Sequence, residues 1–129
     1  MASSNASIKV FLADDSLAIR QRLSALLDAA DMAVVGQGAT PQSCIAGILR
    51  SQPDVVVLDV QLEGGTGLEV LKAVRAAAPE VAFVVLSNSA APAYRKRYLG
   101  EGARQFLDKS TEFDQLTQAI ASLGRRAIH

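Results

Sequence analysis

Five polar residues in this sequence stand at, or just after, the ends of short apolar runs. They are Asp14, Asp15, Asp59, Ser87 and Lys109. If those runs are strands of one parallel sheet, the five residues lie at one edge of it, because the carboxyl ends of parallel strands meet there. The sequence would then bring three carboxylates, a hydroxyl and an ammonium group to one place.

That set of groups suits a metal ion and a phosphoryl group. Three neighbouring carboxylates repel one another, and each resists ionisation unless a cation lies among them. Mg²⁺ prefers such oxygen ligands and keeps several waters when only one or two carboxylates bind it. A hydroxyl and an ammonium group opposite would bind an anionic ligand of that metal, such as a phosphoryl group. An aspartate could then be the nucleophile and form an acyl phosphate.

Each residue also has a simpler structural role open to it. Asp15, followed by Ser16 and a helical pattern, could cap that helix. Asp59 could be a turn residue, and Lys109 a solvated surface charge. Ser87 alone indicates nothing. The occurrence of all five at the ends of four apolar runs favours the phosphate-and-metal interpretation.

The elements that must position these residues alternate along the chain. Nearly all-apolar runs, typical of strands covered on both faces, lie at residues 8–13, 55–58 and 81–86, and weaker runs lie at 33–36 and 104–107. Helical periodicity separates and follows them. Thr40-Pro41 and Thr66 with Glu69 are helix-start signals, and the last two helices are predicted over 90–101 and 111–124.

This alternation predicts an α/β fold with a single doubly wound, five-stranded parallel sheet and five helices. Five strands are too few to close a (β/α)₈ barrel. We predict a disordered leader over residues 1–7, one domain over 8–124 and a short tail over 125–129.

Composition excludes several classes of protein. The 129 residues are 50% hydrophobic and 20% charged, and 13 Lys and Arg balance 13 Asp and Glu. A net charge of zero disfavours direct binding of nucleic acid. One cysteine, Cys44, cannot form an internal disulfide, no apolar run could span a membrane, and residues 1–7 do not resemble a signal peptide. These features predict a cytoplasmic domain.

In order and spacing, these residues resemble the receiver domain of two-component response regulators. The matching pieces are the pair Asp14-Asp15, Asp59 and Gly67 in DVQLEGGTG, Ser87 ending VVLS, Phe106, and Lys109 in FLDK. The resemblance extends over residues 8–123. It implies a flavodoxin-like fold with strand order 2-1-3-4-5.

The resemblance also implies the chemistry of the site. Asp59 would be the phosphoacceptor, and Lys109 would contact it at rest and the phosphoryl oxygen afterwards. Asp15, Asp59 and the backbone carbonyl of Gln61 would bind Mg²⁺ directly, with Asp14 acting mainly through water.

Two further positions would convert phosphorylation into a signal. Ser87 would be the switch hydroxyl, and Phe106 the aromatic side chain that moves inward after phosphorylation. The surface they reshape would comprise the fourth helix, the fifth strand and the fifth helix, including residues 94–98. The sequence departs from the family at Ser110, where a proline joined by a cis bond is common.

The implied function is a phosphorylation-dependent signalling switch and not a turnover enzyme. A sensor histidine kinase or a phosphotransfer protein would donate the phosphoryl group. An unidentified output protein, or a C-terminal effector domain missing from this chain, would receive the signal. The lack of linker character after Leu123 favours a stand-alone receiver over an excised fragment.

Two alternatives stay open at this point. A Mg²⁺-dependent phosphatase with an aspartyl nucleophile would typically carry two aspartates around one residue and a cap insertion, whereas Asp14 and Asp15 are adjacent and no cap-sized insertion is present. A pseudo-receiver that signals without phosphate is disfavoured by intact Asp59, Lys109 and Ser87.

Overall fold

The five apolar runs form one parallel sheet in the computed structural model, which describes residues 7–88 and 91–128. The strands are β1 (Lys9–Ala13), β2 (Ala33–Gly38), β3 (Val55–Leu58), β4 (Ala82–Ser87) and β5 (Gln105–Asp108). Their order in the sheet is β2-β1-β3-β4-β5, with every neighbouring pair parallel. This arrangement confirms the predicted doubly wound α/β fold and its order 2-1-3-4-5.

Five helices cover the sheet, also as predicted. They are α1 (Leu17–Ala29), α2 (Pro41–Ser51), α3 (Gly67–Ala77), α4 (Pro92–Gly100) and α5 (Leu116–Ile128), the last preceded by a 3₁₀ turn over Phe113–Gln115. Alternate residues of β1 enter two separate cores. Phe11 packs with residues of α2, α3 and α4, whereas Val10 packs with residues of α1 and α5.

Helix capping leaves Asp15 available at the sheet edge. The Ser16 hydroxyl caps α1 by accepting from the Ile19 N–H at 3.2 Å, so the role of helix cap does not belong to Asp15. At α2 the predicted cap is confirmed, because the Thr40 hydroxyl accepts from the Ser43 N–H at 3.1 Å with Pro41 in the first turn.

The last helix departs from its predicted bounds. α5 begins at Leu116 and continues through Gly124 to Ile128, so the predicted helix range of 111–124 is wrong at both ends. Glycine inside a helix costs about 1 kcal/mol, but a Cβ at position 124 would collide with Ile8. The close approach of α5 to the start of β1 therefore requires this glycine.

Other predicted segments lie outside the described residues. They include residues 1–6 of the leader, His129, and Ala90, at which the fourth helix was expected to begin. Within the part of the chain that is described, no helix has the length and apolar character needed to cross a membrane.

A small hairpin that was not predicted lies between β3 and α3. Gln61–Leu62 pairs antiparallel with Gly65–Thr66, and Gly64 turns the chain between them at a φ of 78°, where glycine is favoured. The hairpin begins two residues after Asp59 and therefore shapes the loop that follows the predicted phosphoacceptor.

Candidate functional site

The carboxyl edge of the sheet brings the predicted site residues together. Asp14 and Asp15 follow β1, Asp59 follows β3, Ser87 ends β4 and Lys109 follows β5. Carboxylate oxygens of the three aspartates lie within 4.8 Å of one another. The aspartates differ in exposure, because Asp14 is buried, Asp59 is half-buried and Asp15 is exposed.

Lys109 lies between two of the carboxylates. Its ammonium group donates to Asp14 Oδ2 at 2.8 Å and to Asp59 Oδ2 at 3.2 Å. The lysine side chain is only 8% exposed, so solvent screens these contacts much less than it screens surface ion pairs. The structure therefore contains the resting contact between Lys109 and Asp59 that the resemblance implies.

Burial and a neighbouring charge raise the pKa of Asp59. Burial is the main cause, the neighbouring Asp14 charge adds to it, and Lys109 opposes it. For Lys109 itself burial lowers the pKa, but the hydrogen bond to Asp14 and the charges of both aspartates outweigh burial and raise it. One ammonium group thus leaves the three-carboxylate cluster with unbalanced negative charge, which favours a bound cation.

The backbone around Asp59 is held from two sides. The Asp59 N–H donates to the Ala13 carbonyl at 2.9 Å, and Asp59 Oδ1 accepts from the Val60 N–H at 2.7 Å. On the other side, a Cβ at Gly67 would collide with the Asp59 carbonyl oxygen. The start of α3 can approach this loop only because residue 67 has no side chain.

Arg20, on α1, is a site residue that sequence reasoning missed. Its Nη1 donates to the Asp14 carbonyl at 2.6 Å and its Nε to Gln37 Oε1 at 3.2 Å. Asp14 Oδ1 accepts from the Ser16 N–H at 2.9 Å. Together these contacts fix the orientation of Asp14, and no pattern in the sequence indicated that Arg20 would reach it.

A turn stabilised by Asp108 takes the place of the proline that is common after the lysine. Asp108 Oδ1 accepts from the Ser110 N–H at 2.8 Å and from its hydroxyl at 2.6 Å, and these hydrogen bonds lower the pKa of Asp108. The described peptide bonds, including Lys109–Ser110, are all trans. Lys109 also donates its backbone N–H to the carbonyl of the buried Ser87 at 2.9 Å, which joins the two strand ends.

Phe106 already lies inside the protein. The ring is 2% exposed and packs edge-on against Tyr98 with the ring centroids 6.1 Å apart. The resemblance implied that this ring moves inward after phosphorylation, whereas in the described conformation the ring is already buried. Tyr98 is also buried, and only Tyr94, at 45% exposure, remains as an aromatic surface residue on α4.

The donor set at this edge fits Mg²⁺. A cleft of about 410 Å³ is lined by Asp14, Asp15, Asp59, Gln61, Ser87 and Lys109 among others. Hard carboxylate oxygens with room for water are what Mg²⁺ requires. Asp15 at the solvent side and Asp59 deeper in the cleft could bind it directly, with the Gln61 backbone alongside.

A doubly wound sheet with three aspartates and a lysine at its carboxyl edge is the arrangement that the resemblance to receiver domains implied. Comparison with known families agrees, because the family model for the response regulator receiver domain matches residues 10–121. The chain belongs to this family.

Curated relatives include longer transcription regulators. The chain is 32% identical over 117 residues to the transcriptional regulatory protein DesR of Bacillus subtilis. The aligned residues cover 90% of this chain and 58% of DesR. It is 29% identical over 118 residues to the DNA-binding transcriptional activator DevR/DosR of Mycobacterium tuberculosis, which covers 91% of this chain and 54% of that protein. The chain thus spans little more than half the length of these relatives.

Solved structures include similar domains from other systems. The Vibrio cholerae chemotaxis protein CheY4 is 28% identical, with a TM-score of 0.82 over 92% of this chain and 99% of that one. The response regulator domain of Thermotoga maritima CheB is 26% identical, with a TM-score of 0.80 over 95% and 96%.

Proposed function

We propose that this domain is a phosphorylation-controlled switch of two-component signalling in the cytoplasm. A sensor histidine kinase or a phosphotransfer protein would supply the phosphoryl group, and Asp59 would accept it. The observation that carries the proposal is the placement of Asp59 beside two carboxylates and within 3.2 Å of the Lys109 ammonium group. The domain would signal by changing its binding partners and not by turning over a substrate.

In the proposed transfer an Asp59 carboxylate oxygen attacks the phosphorus of a phosphohistidine. A P–O bond forms, the P–N bond breaks, and the leaving imidazole nitrogen takes up a proton from solvent. Lys109 would remain protonated, because its pKa is raised, and would stabilise negative charge on the transferred oxygens. Ser87, at the end of β4, would donate a hydrogen bond to one of them.

Asp15, Asp59 and the Gln61 carbonyl would hold Mg²⁺, with Asp14 acting mainly through water. When bound, the ion would neutralise charge on the phosphoryl oxygens and on the carboxylate cluster. Asp14 is already paired with Lys109 at 2.8 Å, which supports its less direct role. The exposed side of the cleft at Asp15 leaves a path for the donor protein.

The proposal is tested by incubating the protein with Mg²⁺ and phosphoramidate and measuring intact mass. A stable population heavier by one phosphoryl group supports it. Continuous phosphate release at enzyme rates would indicate a phosphatase instead, and an unchanged mass would indicate a receiver that works without phosphate.

The metal ligands can be separated by thermal stability. Mg²⁺ at about 100 times its Kd is expected to raise Tm by roughly 10 °C, because it binds only the folded state. Asp15→Ala should cut that rise to less than half and Asp14→Ala should cut it less. Asp28→Ala, an exposed site on α1, is the control and should respond as wild type does. Equal rises in wild type and Asp15→Ala would contradict the assignment.

Ser87 can be tested as the switch hydroxyl by NMR. Beryllofluoride with Mg²⁺ mimics the phosphoryl group, and in wild type it should perturb amides around Asp59 and also those of residues 92–108. Ser87→Ala should still bind the mimic, since the acidic cluster is intact, but the distant perturbations should fall by at least half. If the distant residues never respond in wild type, the proposed output face is wrong.

The output partner would bind the face formed by α4, β5 and α5. Longer relatives such as DesR are transcriptional regulators, so an effector domain or a separate output protein could receive the signal. Arg95 and Lys96 are exposed on this face and would favour a partner with acidic groups.

A further inference from the structure

The phenol of Tyr98, on α4, points into the protein toward the phosphoacceptor loop. The side chain is 2% exposed, and its hydroxyl donates to the Val60 carbonyl oxygen at 3.4 Å. Burial raises the pKa of Tyr98 to about 12, against an opposing hydrogen bond from the Leu68 backbone. The hydroxyl therefore stays protonated and able to donate at neutral pH.

Val60 connects this phenol to the nucleophile. Its N–H donates to Asp59 Oδ1 at 2.7 Å, while its carbonyl accepts from Tyr98 and, at 2.8 Å, from the Gly67 N–H. The hydrogen bonds to Asp59 and to Tyr98 thus involve the two peptide groups on either side of the Val60 Cα.

The other side of the Tyr98 ring faces the proposed output surface. It packs edge-on against Phe106 at an interplanar angle of 63°, and the Arg95 guanidinium lies 5.4 Å from the centre of the Phe106 ring. Arg95 also reaches Glu112 at 3.5 Å. Contacts thus continue from Asp59 through Val60 and Tyr98 to the surface of α4.

We propose that Tyr98 is a positioning residue for phosphoryl transfer to Asp59 and the contact through which α4 responds to it. The inference rests on the proposed function. An apolar residue would suffice to fill the space beside Phe106. Packing alone therefore does not require the Tyr98 hydroxyl, which donates to the Val60 carbonyl. Without it, Gly67 alone holds the Val60 carbonyl, and the orientation of Asp59 becomes less fixed.

The test compares wild type with Tyr98→Phe, which keeps the ring and removes only the hydroxyl. The rate of labelling by phosphoramidate at saturating Mg²⁺ should fall roughly three- to tenfold, the factor that loss of one hydrogen bond produces. With beryllofluoride, amides near Asp14 and Asp59 should still respond, while the responses of residues 92–100 should fall by at least half. Tyr98→Leu, which also removes the ring, should lower Tm in addition.

The outcomes separate this inference from the proposed function. If Tyr98→Phe matches wild type in labelling rate and in the response of α4, the phenol only fills space and the inference is overturned. If wild type itself neither takes up phosphate nor responds to beryllofluoride, the proposed function fails, and the inference fails with it.

Discussion

Asp59→Asn is expected to abolish labelling by phosphoramidate, with no mass increase detectable where wild type is largely converted. The amide has nearly the shape of the carboxylate but cannot attack phosphorus, so the loss should be complete. Asp14 and Asp15 should not replace it, because Asp14 is buried against Lys109 and Asp15 follows a different strand. Asp54→Asn, at the opposite end of β3, is the matched control and should be labelled like wild type.

Asp59→Asn should fold, and the direction in which its melting temperature changes can be predicted. Burial and Asp14 raise the pKa of Asp59, so ionised Asp59 destabilises the metal-free fold above that raised pKa, and this cost disappears as pH falls below the ordinary pKa. Without Mg²⁺ at pH 7, Asp59→Asn should therefore melt higher than wild type, and the gap should narrow as pH falls toward 4. Full labelling of a folded Asp59→Asn would place the phosphoacceptor elsewhere.

The sequence predicted the sheet well because buried parallel strands leave a strong local signal. Val55–Leu58 was placed at its observed bounds, and all five strands were found. Their order in the sheet was implied by the family resemblance and not by any local signal. The convergence of Asp14, Asp59 and Lys109 was also predictable, since the carboxyl ends of parallel strands must share an edge. The family resemblance of the chain then followed from the types of these residues and from their order and spacing in the sequence.

The contacts around the site were less predictable because they depend on side-chain packing between distant elements. Nothing local in the sequence indicates that Tyr98 turns inward while Tyr94 stays exposed on the same short helix. The position of the Phe106 ring depends on the orientation of Tyr98, because the two rings pack against each other. The continuation of α5 through Gly124 likewise depends on Ile8, which is more than 100 positions away.

Lys109→Met is expected to reduce labelling at least about a hundredfold, and at the same time to increase the affinity for Mg²⁺. In the proposed transfer the ammonium group would be the charge that this chain supplies to the phosphoryl oxygens, and loss of one such group typically costs 10²–10³ in rate. It would also compete with a metal ion for Asp14 and Asp59, which it contacts at 2.8 and 3.2 Å. Removing that competitor should tighten Mg²⁺ binding by about tenfold.

The melting temperatures should show the same competition between the Lys109 ammonium group and Mg²⁺. Without Lys109, Asp14 is a buried carboxylate that has lost its ion pair, and breaking a buried pair from one side costs about 3–5 kcal/mol. Metal-free Lys109→Met should therefore melt well below wild type, and Mg²⁺ should restore more of its Tm than it adds to wild type. Lys72→Met, on the exposed side of α3, should leave labelling and both melting temperatures unchanged. If Mg²⁺ stabilises Lys109→Met no more than wild type, lysine and metal do not share the carboxylates, and the site as described is wrong.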